Sequence, residues 1–300
     1  MSGKDRRMTG TLYLVATPIG NLEDMSFRAV RVLKEADLIA CEDTRTSRTL
    51  LKHYEIGTPL TSYHKFNEHE KSGELLGKLF AGQNIALITD AGMPAVSDPG
   101  AVLVRVCRDN AVPVTVIPGA SASLTALALS GRDTRRFAFE GFLPADPKER
   151  RERMSFLKNE TRTMILYEAP HRLGKTLAAL AEALGNERPV TLCRELTKKF
   201  EESSEMTLGE AAAFYGEGAG DTSGEMTAQA RGEFVLVIEG KDPKELKREE
   251  AGRWEELSVA EHVALYEEQG MSRKEAMKAA ATDRGLSRRD IYQTLLKEEH

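Results

Sequence analysis

Cysteine is scarce and scattered: Cys41, Cys107 and Cys193 are the three in 300 residues, and no CxxC pair occurs. Neither a disulfide framework nor a zinc ribbon can be built from them, and a reducing compartment, the cytoplasm, is the expectation. Long apolar runs are also missing. No stretch approaches the roughly 20 residues of a membrane-spanning helix, and the basic start MSGKDRRMTGT lacks the apolar segment of a signal peptide, so no membrane partner is expected. Phosphate-cradling patterns fail: G-x-x-x-x-G-K-[ST] is absent, and no G-x-G-x-x-G follows a strand, which disfavours the common nucleotide folds. His64 and His69 lack the H-E-x-x-H spacing that puts two imidazoles on one helix face, so no metal is expected. Positive charge is not in excess either. With 42 Lys and Arg against 47 Asp and Glu the formal net charge is −5, at first sight a poor match for nucleic acid.

What is present is a globular composition, 41% hydrophobic and 30% charged, which excludes disorder and leaves room for two domains. From Thr11 onward, short β-branched runs alternate with polar helical stretches. Thr11–Thr17, Ala36–Cys41, Ile85–Thr89 and Val112–Ile117 read as buried strands, with Leu60–Tyr63 weaker. Helices are expected near Ser26–Glu35, Ser47–Tyr54, Glu70–Phe80, Pro99–Asp109 and Ser121–Ser130, giving a mostly parallel α/β sheet. A second group of strands, Phe137–Phe142, Thr163–Tyr167, Val190–Arg194 and Gly232–Glu239, brackets helices near Pro147–Lys158, Arg172–Leu184 and Gly209–Phe214. The expected organisation is a loosely ordered 1–10, an α/β domain over 11–130, a second over 131–240 with their boundary near Leu129–Thr134, a charged linker over 241–257 and a helical module over 258–300. The Gly-, Ser- and Thr-rich run from Tyr215 to Arg231 reads as a mobile loop. In the last module Ser258, Ser272 and Ser287 each precede an acid by three residues (Glu261, Glu275, Asp290), so capping boxes predict three short helices, with Gly270 and Gly285 ending the first two.

The chemistry concentrates at strand ends. Leu87–Gly100 (LITDAGMPAVSDPG) is a strand running into small residues, two prolines and two aspartates. Open parallel sheets bind ligands beyond the carboxyl ends of their strands, and small residues admit a ligand close to the backbone, so Asp90, Ala91 and Gly92 are binding candidates. The competing reading is a plain strand-to-helix turn with Asp98 as helix cap. Ile117–Ser123 (IPGASAS) ends the next strand. Ser121 is not a hydrolase nucleophile, because Ser123 stands where G-x-S-x-G requires glycine. Three further polar clusters, Thr17–Asp24, Glu42–Arg45 and His64–Glu68, follow the first three strands and would meet at one rim, as a site for a polar, hydroxyl-bearing substrate requires.

The ordered segments ATPIGNLED (16–24), ADLIACEDTR (36–45), YHKFNE (63–68), ALITDAGMPAVSDPG (86–100), FEGFLP (139–144), YEAPHRL (167–173) and CRELTK (193–198) resemble the tetrapyrrole methylase superfamily, in particular its branch that methylates ribose in bacterial small-subunit ribosomal RNA. Ala16–Asn21 stands where porphyrinoid-methylating members carry a glycine-rich loop; Thr89 and Met93 depart from the usual SDAGTP, and Lys65–Phe66 from the residues before the usual HNE. The resemblance implies two α/β domains with a cleft between them, to which the three capping boxes add a small C-terminal three-helix module. It implies S-adenosylmethionine as donor, a homodimer, and a cytidine 2′-hydroxyl in the decoding region of 16S rRNA, on the 30S subunit, as acceptor. A small-molecule (porphyrinoid) methyltransferase, or a non-catalytic ribosome-assembly RNA-binding protein, is the alternative.

For such a reaction the donor contacts are expected at Pro18, Asp90, Ala91, Gly92, Pro94, Asp98, Pro118, Ser121, Ala122, Phe142 and Tyr167. Acceptor contacts are expected at Asn21, Arg45, Asn67, Arg135, Arg151, His171, Arg172, Arg194 and Lys198. The ribose hydroxyl is a poor nucleophile, so a general base is sought among Glu42, Asp43, His64 and Glu68. Charge is distributed unevenly: 132–158 carries eight basic residues against five acidic, and 272–289 six against two. These segments offer phosphate contacts, modest enough to favour RNA displayed on an assembled particle over bare RNA.

Overall fold

The computed structural model describes residues 9–216, 232–255 and 257–298. The expected loose N-terminus, up to residue 8, and residues 217–231 of the expected mobile loop lie outside the described residues. The chain divides into two compact units: one holds the chain through Ser155 together with Arg162–Glu239, the other Phe156–Thr161 with Gly240–His300.

The first unit contains two sheets. The five strands of the first are β1 (Leu12–Val15), β2 (Leu38–Cys41), β3 (Leu60–Ser62), β4 (Ile85–Ile88) and β5 (Val114–Ile117), in the order β3-β2-β4-β1-β5 with every pairing parallel. Parallel strands need crossovers. These are α1 (Phe27–Glu35), α2 (Thr44–His53), α3 (Glu68–Phe80) and α4 (Ala101–Asp109). One face of the sheet packs Ile39, Cys41 and Ile88 against Val32, Leu33 and Leu51; the other packs Leu12, Ile85 and Leu87 against Leu75, Leu79 and Leu103. Each such fully buried aliphatic side chain stabilises the fold by about 1.5–3 kcal/mol. Helix α2 begins three residues earlier than the sequence suggests because the Asp43 carboxylate accepts the Arg45 N–H at 2.7 Å and caps it.

After α5 (Ala122–Leu129) comes the second sheet: β6 (Phe137–Phe142), β7 (Thr163–Glu168), β8 (Pro189–Arg194), β9 (Glu202–Thr207) and β10 (Phe234–Ile238), ordered β6-β7-β10-β8-β9. Only β6 and β7 pair in parallel; β10 runs antiparallel between β7 and β8, and β9 antiparallel to β8. Strand β9, ESSEMT, was not expected from sequence. It has no alternation of apolar residues and exists because an edge strand can satisfy its backbone against β8 with both faces half open. Helices α7 (Leu173–Leu184), α8 (Leu208–Tyr215) and all but the last two residues of α6 (Pro147–Leu157) complete the unit.

In the second unit the stretch expected as a charged linker is largely helical, α9 (Pro243–Glu255). Its charges hid it: a helix with no apolar stripe carries no periodic signal. Helices α10 (Val259–Glu268), α11 (Arg273–Asp283) and α12 (Arg288–Glu298) match the capping-box expectation. The Ser258 and Ser272 boxes are complete in both directions, and Ser287 and Asp290 exchange the same reciprocal bonds at 3.1 and 3.2 Å. Val259, Val263, Met277, Ala280, Ile291 and Leu295 form the unit's own core. Among the described residues no helix is long and apolar enough to cross a membrane.

Candidate functional site

Because the first sheet is parallel, the loops after β1, β2, β3 and β4 all emerge at one rim. The β1 and β4 loops are bridged there: the Thr17 N–H donates to the Gly92 carbonyl at 2.9 Å and the Gly92 N–H to Thr17 at 3.1 Å. The Thr17 hydroxyl donates to the Thr89 carbonyl at 3.0 Å, and the Thr89 hydroxyl to Glu42 Oε2 at 3.2 Å, which ties the β2 loop to the same point. The Asp43 N–H donates to Asp90 Oδ1 at 3.3 Å.

The loop from Asp90 to Gly100 is held in unusual backbone. Gly92 lies at φ +82° and Gly100 at +140°, while Ala95 and Ser97, which have Cβ atoms, are also left-handed at +66° and +63°. At Ala95 and Ser97 this costs of order 1–3 kcal/mol each, strain of a kind that clusters at functional sites, whereas glycine adopts it freely. Gly100, not Asp98, is the helix cap, which overturns the cap reading; a Cβ there would lie 2.8 Å from Leu87 Cδ2. Asp98 instead turns its carboxyl towards Thr89 and Glu42. Burial, reinforced by the Glu42 and Asp90 charges, lifts it from 3.8 to about 6 despite the Thr89 hydrogen bond. Asp90 is raised for the same leading reason, burial, with the Asp43 N–H opposing.

These groups open onto a cavity of about 550 Å³ within the first unit, between the rim of the first sheet and the second sheet. That volume suits one ligand of nucleoside size. Eight of the eleven expected donor contacts line it: Asp90, Ala91, Gly92, Asp98, Ser121, Ala122, Phe142 and Tyr167. Of the other three, Pro18 and Pro94 are buried in the flanking loops, Pro118 is exposed at the end of β5, and none of them lines the cavity. Tyr167 ties the second sheet to α5 here: its oxygen accepts the Ser123 N–H at 3.1 Å, and its ring stands edge-on to Phe139 at 5.1 Å and Phe142 at 5.6 Å. Sequence reasoning missed Ile19, Ser97, Glu168, Leu196 and Glu233, which also line the cavity. Glu168 stood inside the quoted YEAPHRL segment; Glu233 had no local signal and reaches the cavity only because β10 sits in the middle of the second sheet.

The four base candidates divide. Glu42 is one hydroxyl from the cavity wall through Thr89. Asp43 serves as cap of α2 and is held at about 2 by hydrogen bonds from the Arg45 side chain and N–H. His64 and Glu68 follow β3, the edge strand, and do not line the cavity; His64 Nδ1 is enclosed, with no hydrogen-bond partner among the described residues. Among the acceptor candidates only His171 lines the cavity. Asn21 and Lys198 come together from the two sheets: the Asn21 N–H donates to Thr197 at 3.1 Å, and Lys198 pairs with Glu195 at 3.0 Å and with the cavity residue Glu233 at 2.9 Å. Arg45 pairs with Asp43 and Arg135 with Asp133, both largely exposed. Arg194 pairs with Glu202, Asn67 accepts the His64 N–H, and Arg151 is exposed on α6. Arg172 is turned inward, its Nη2 donating to the Leu143 carbonyl at 3.0 Å. Within the basic segment 132–158, Arg132, Arg135 and Arg153 are each paired with an acid, so the segment is weaker than its count suggests.

Two layers of α/β structure flanking a cavity at the carboxyl edge of a parallel sheet define the class. The chain belongs to the tetrapyrrole (corrin/porphyrin) methylases, whose family model matches residues 11–212. Uroporphyrin-III C-methyltransferase from Thermus thermophilus has the same fold, with a TM-score of 0.54 over 77% of this chain and 97% of that one at 20% identity. Within the family, the chain is similar to proteins named ribosomal RNA small subunit methyltransferase I. It is 48% identical to that of Halalkalibacterium halodurans and 46% to that of Bacillus subtilis, in each case over 97% of this chain and 96% of the relative.

Proposed function

We propose that the protein transfers a methyl group from S-adenosylmethionine to the ribose 2′-hydroxyl of a cytidine in the decoding region of 16S rRNA, in the cytoplasm, on the assembled 30S subunit, and as a homodimer. The observation that carries this reading is the convergence of the Asp90–Gly92 loop, Asp98, Ser121 and Ala122 with Phe142 and Tyr167 around one cavity. It stands in a chain that relatives named for ribosomal RNA methylation match along nearly their whole length. The cavity suits the donor: small residues admit it close to the backbone, and Asp90 and Asp98 face a cationic, hydroxyl-bearing ligand. Bound there, the donor supplies a methyl group on a sulfonium, which an in-line attack by oxygen releases as a neutral thioether.

The chain's part is placement. Alignment of donor and acceptor accounts for roughly 7–11 kcal/mol of a barrier of this kind, and the rigid β1–β4 bridge holds the donor loop for it. Phe142 and Tyr167 give the cavity an aromatic side. Glu42, beside Thr89, is the best placed of the four base candidates to hold the proton leaving the ribose hydroxyl, a role worth about 10²–10⁴-fold. Basic residues at the first turns of α11 and α12 support contact with phosphates, and the exposed Leu124 and Leu129 of α5 support a second copy as partner. Labelled S-adenosylmethionine incubated with undermethylated 30S subunits, naked 16S rRNA and a porphyrinoid tests the proposal: label is expected in the RNA of the subunits. Label in the porphyrinoid alone, or in none, overturns it.

A further inference from the structure

Glu168 is the last residue of β7 and is buried, 2% exposed. A carboxylate removed from water is costly unless its oxygens are fully used. Here they are. Oε2 accepts the Thr176 hydroxyl at 2.6 Å, Oε1 accepts the Ala169 N–H at 2.8 Å, and Arg172 Nε lies 3.4 Å from Oε1. Thr176, on α7, is itself 2% exposed. The same Arg172 donates from Nη2 to the Leu143 carbonyl, one residue beyond Phe142. One network therefore joins two walls of the cavity: the run Tyr167–His171, every residue of which lines it, and the end of β6 carrying Phe142. The turn is closed by backbone bonds as well, the Arg172 N–H to Ala169 at 3.0 Å and the Leu173 N–H to Pro170 at 3.3 Å. Stability alone does not call for a charge at this place, since well-packed apolar side chains serve a core as well or better. An ion pair with two further hydrogen bonds has one geometry, and it fixes where the next three residues stand.

We propose that Glu168 is a positioning residue for the methyl donor: acting through Arg172 and Thr176, it sets the Tyr167–His171 wall and the Phe142 edge at the spacing the bound donor requires. This rests on the donor assigned above. The test is calorimetric titration of the full-length protein and its Glu168→Gln, Glu168→Ala and Thr176→Val variants with S-adenosylmethionine, beside steady-state methylation of 30S subunits and a melting curve for each. The donor Kd is expected to rise about 10- to 100-fold in Glu168→Ala, the scale on which a misplaced wall acts. A smaller rise is expected in Glu168→Gln and Thr176→Val, with kcat at saturating donor falling far less than Kd rises. A merely structural role would lower the melting temperature and leave the Kd of the folded variants alone. Unchanged donor Kd in folded Glu168→Gln and Thr176→Val overturns the proposal, and Thr176→Val alone decides it if both Glu168 variants fail to fold. Wild type that binds donor but methylates no RNA would sink the RNA reading and leave this one to be judged by the Kd values. Wild type that binds no donor overturns both.

Discussion

Replacing Asp98 by asparagine is expected to stabilise the protein at neutral pH while it removes donor binding. The carboxyl is lifted from 3.8 to about 6, first by burial and then by the Glu42 and Asp90 charges. A folded state that raises an acid's pKa holds the proton more firmly than the unfolded chain does. The resulting stabilisation is complete below the unfolded value and is lost as pH rises from about 4 through about 6. The gap between the two values corresponds to about 3 kcal/mol. Asp98 opens onto the cavity, and solvent screening there halves this to about 1.5 kcal/mol. Asparagine keeps the shape without the charge. In a unit of more than 200 residues, 1 kcal/mol moves Tm by about 2–4 °C, so the variant should melt about 3–6 °C above wild type at pH 7.5. The difference should shrink as pH falls and vanish near pH 4. Calorimetric scans at pH 4, 5, 6 and 7.5 measure it, and titration with S-adenosylmethionine at pH 7.5 measures what the asparagine loses. A Tm difference independent of pH, or a variant less stable than wild type at pH 7.5, refutes the reasoning.

Gly92→Val should raise the donor Kd by more than about 100-fold, because a β-branched residue at φ +82° is strained and its Cβ would already lie 3.4 Å from Ile19 Cγ2 on the cavity wall. Donor affinity unchanged by calorimetry would mean that the loop does not approach the ligand. In the second unit Trp254, the single tryptophan of the chain, stacks on His262 at 3.9 Å and 7°. Arg284 Nε donates to His262 Nδ1 at 3.0 Å, and burial followed by the Arg284 charge pushes the imidazole below 6.5, against the opposing Asp283. The unfolded chain then takes up a proton before the folded one, so stability followed by Trp254 fluorescence should fall as pH drops below about 6.5. A fluorescence melt that does not move between pH 7.5 and pH 5 contradicts this.

Local chemistry was legible in the sequence wherever one residue's neighbours along the chain decide the outcome. The three capping boxes are such a case: Ser258, Ser272 and Ser287 each find their acid three residues on, whatever the rest of the protein does. The apolar runs of β1, β2 and β4 are another, since a strand buried on both faces must be apolar throughout. Strand β9 and helix α9 were not legible, because neither ESSEMT nor PKELKREEAGRWE carries a periodic apolar stripe in its sequence. The role of Asp98 was ambiguous as well. As a residue before Pro99 and Gly100 it reads as a cap; only burial in the folded chain, with Glu42 brought in from the β2 loop and Asp90 from the start of its own loop, makes it a raised, cavity-facing acid.

The sequence by itself determined the alternation of strands and helices, the parallel first sheet, and the fact that the small-residue and acidic loops follow strands and so must gather at one rim. Those follow from periodicity and from the crossovers that parallel strands demand. Tertiary structure alone decided which loop residues share the cavity. Asp90, Ser121, Tyr167 and Glu233 are far apart in the chain and meet because β4, β5 and β7 end, and the antiparallel β10 begins, facing one space. It also decided that Arg172 holds a wall instead of reaching outward, since whether a guanidinium turns in depends on a carboxylate and a carbonyl that folding has already buried beside it.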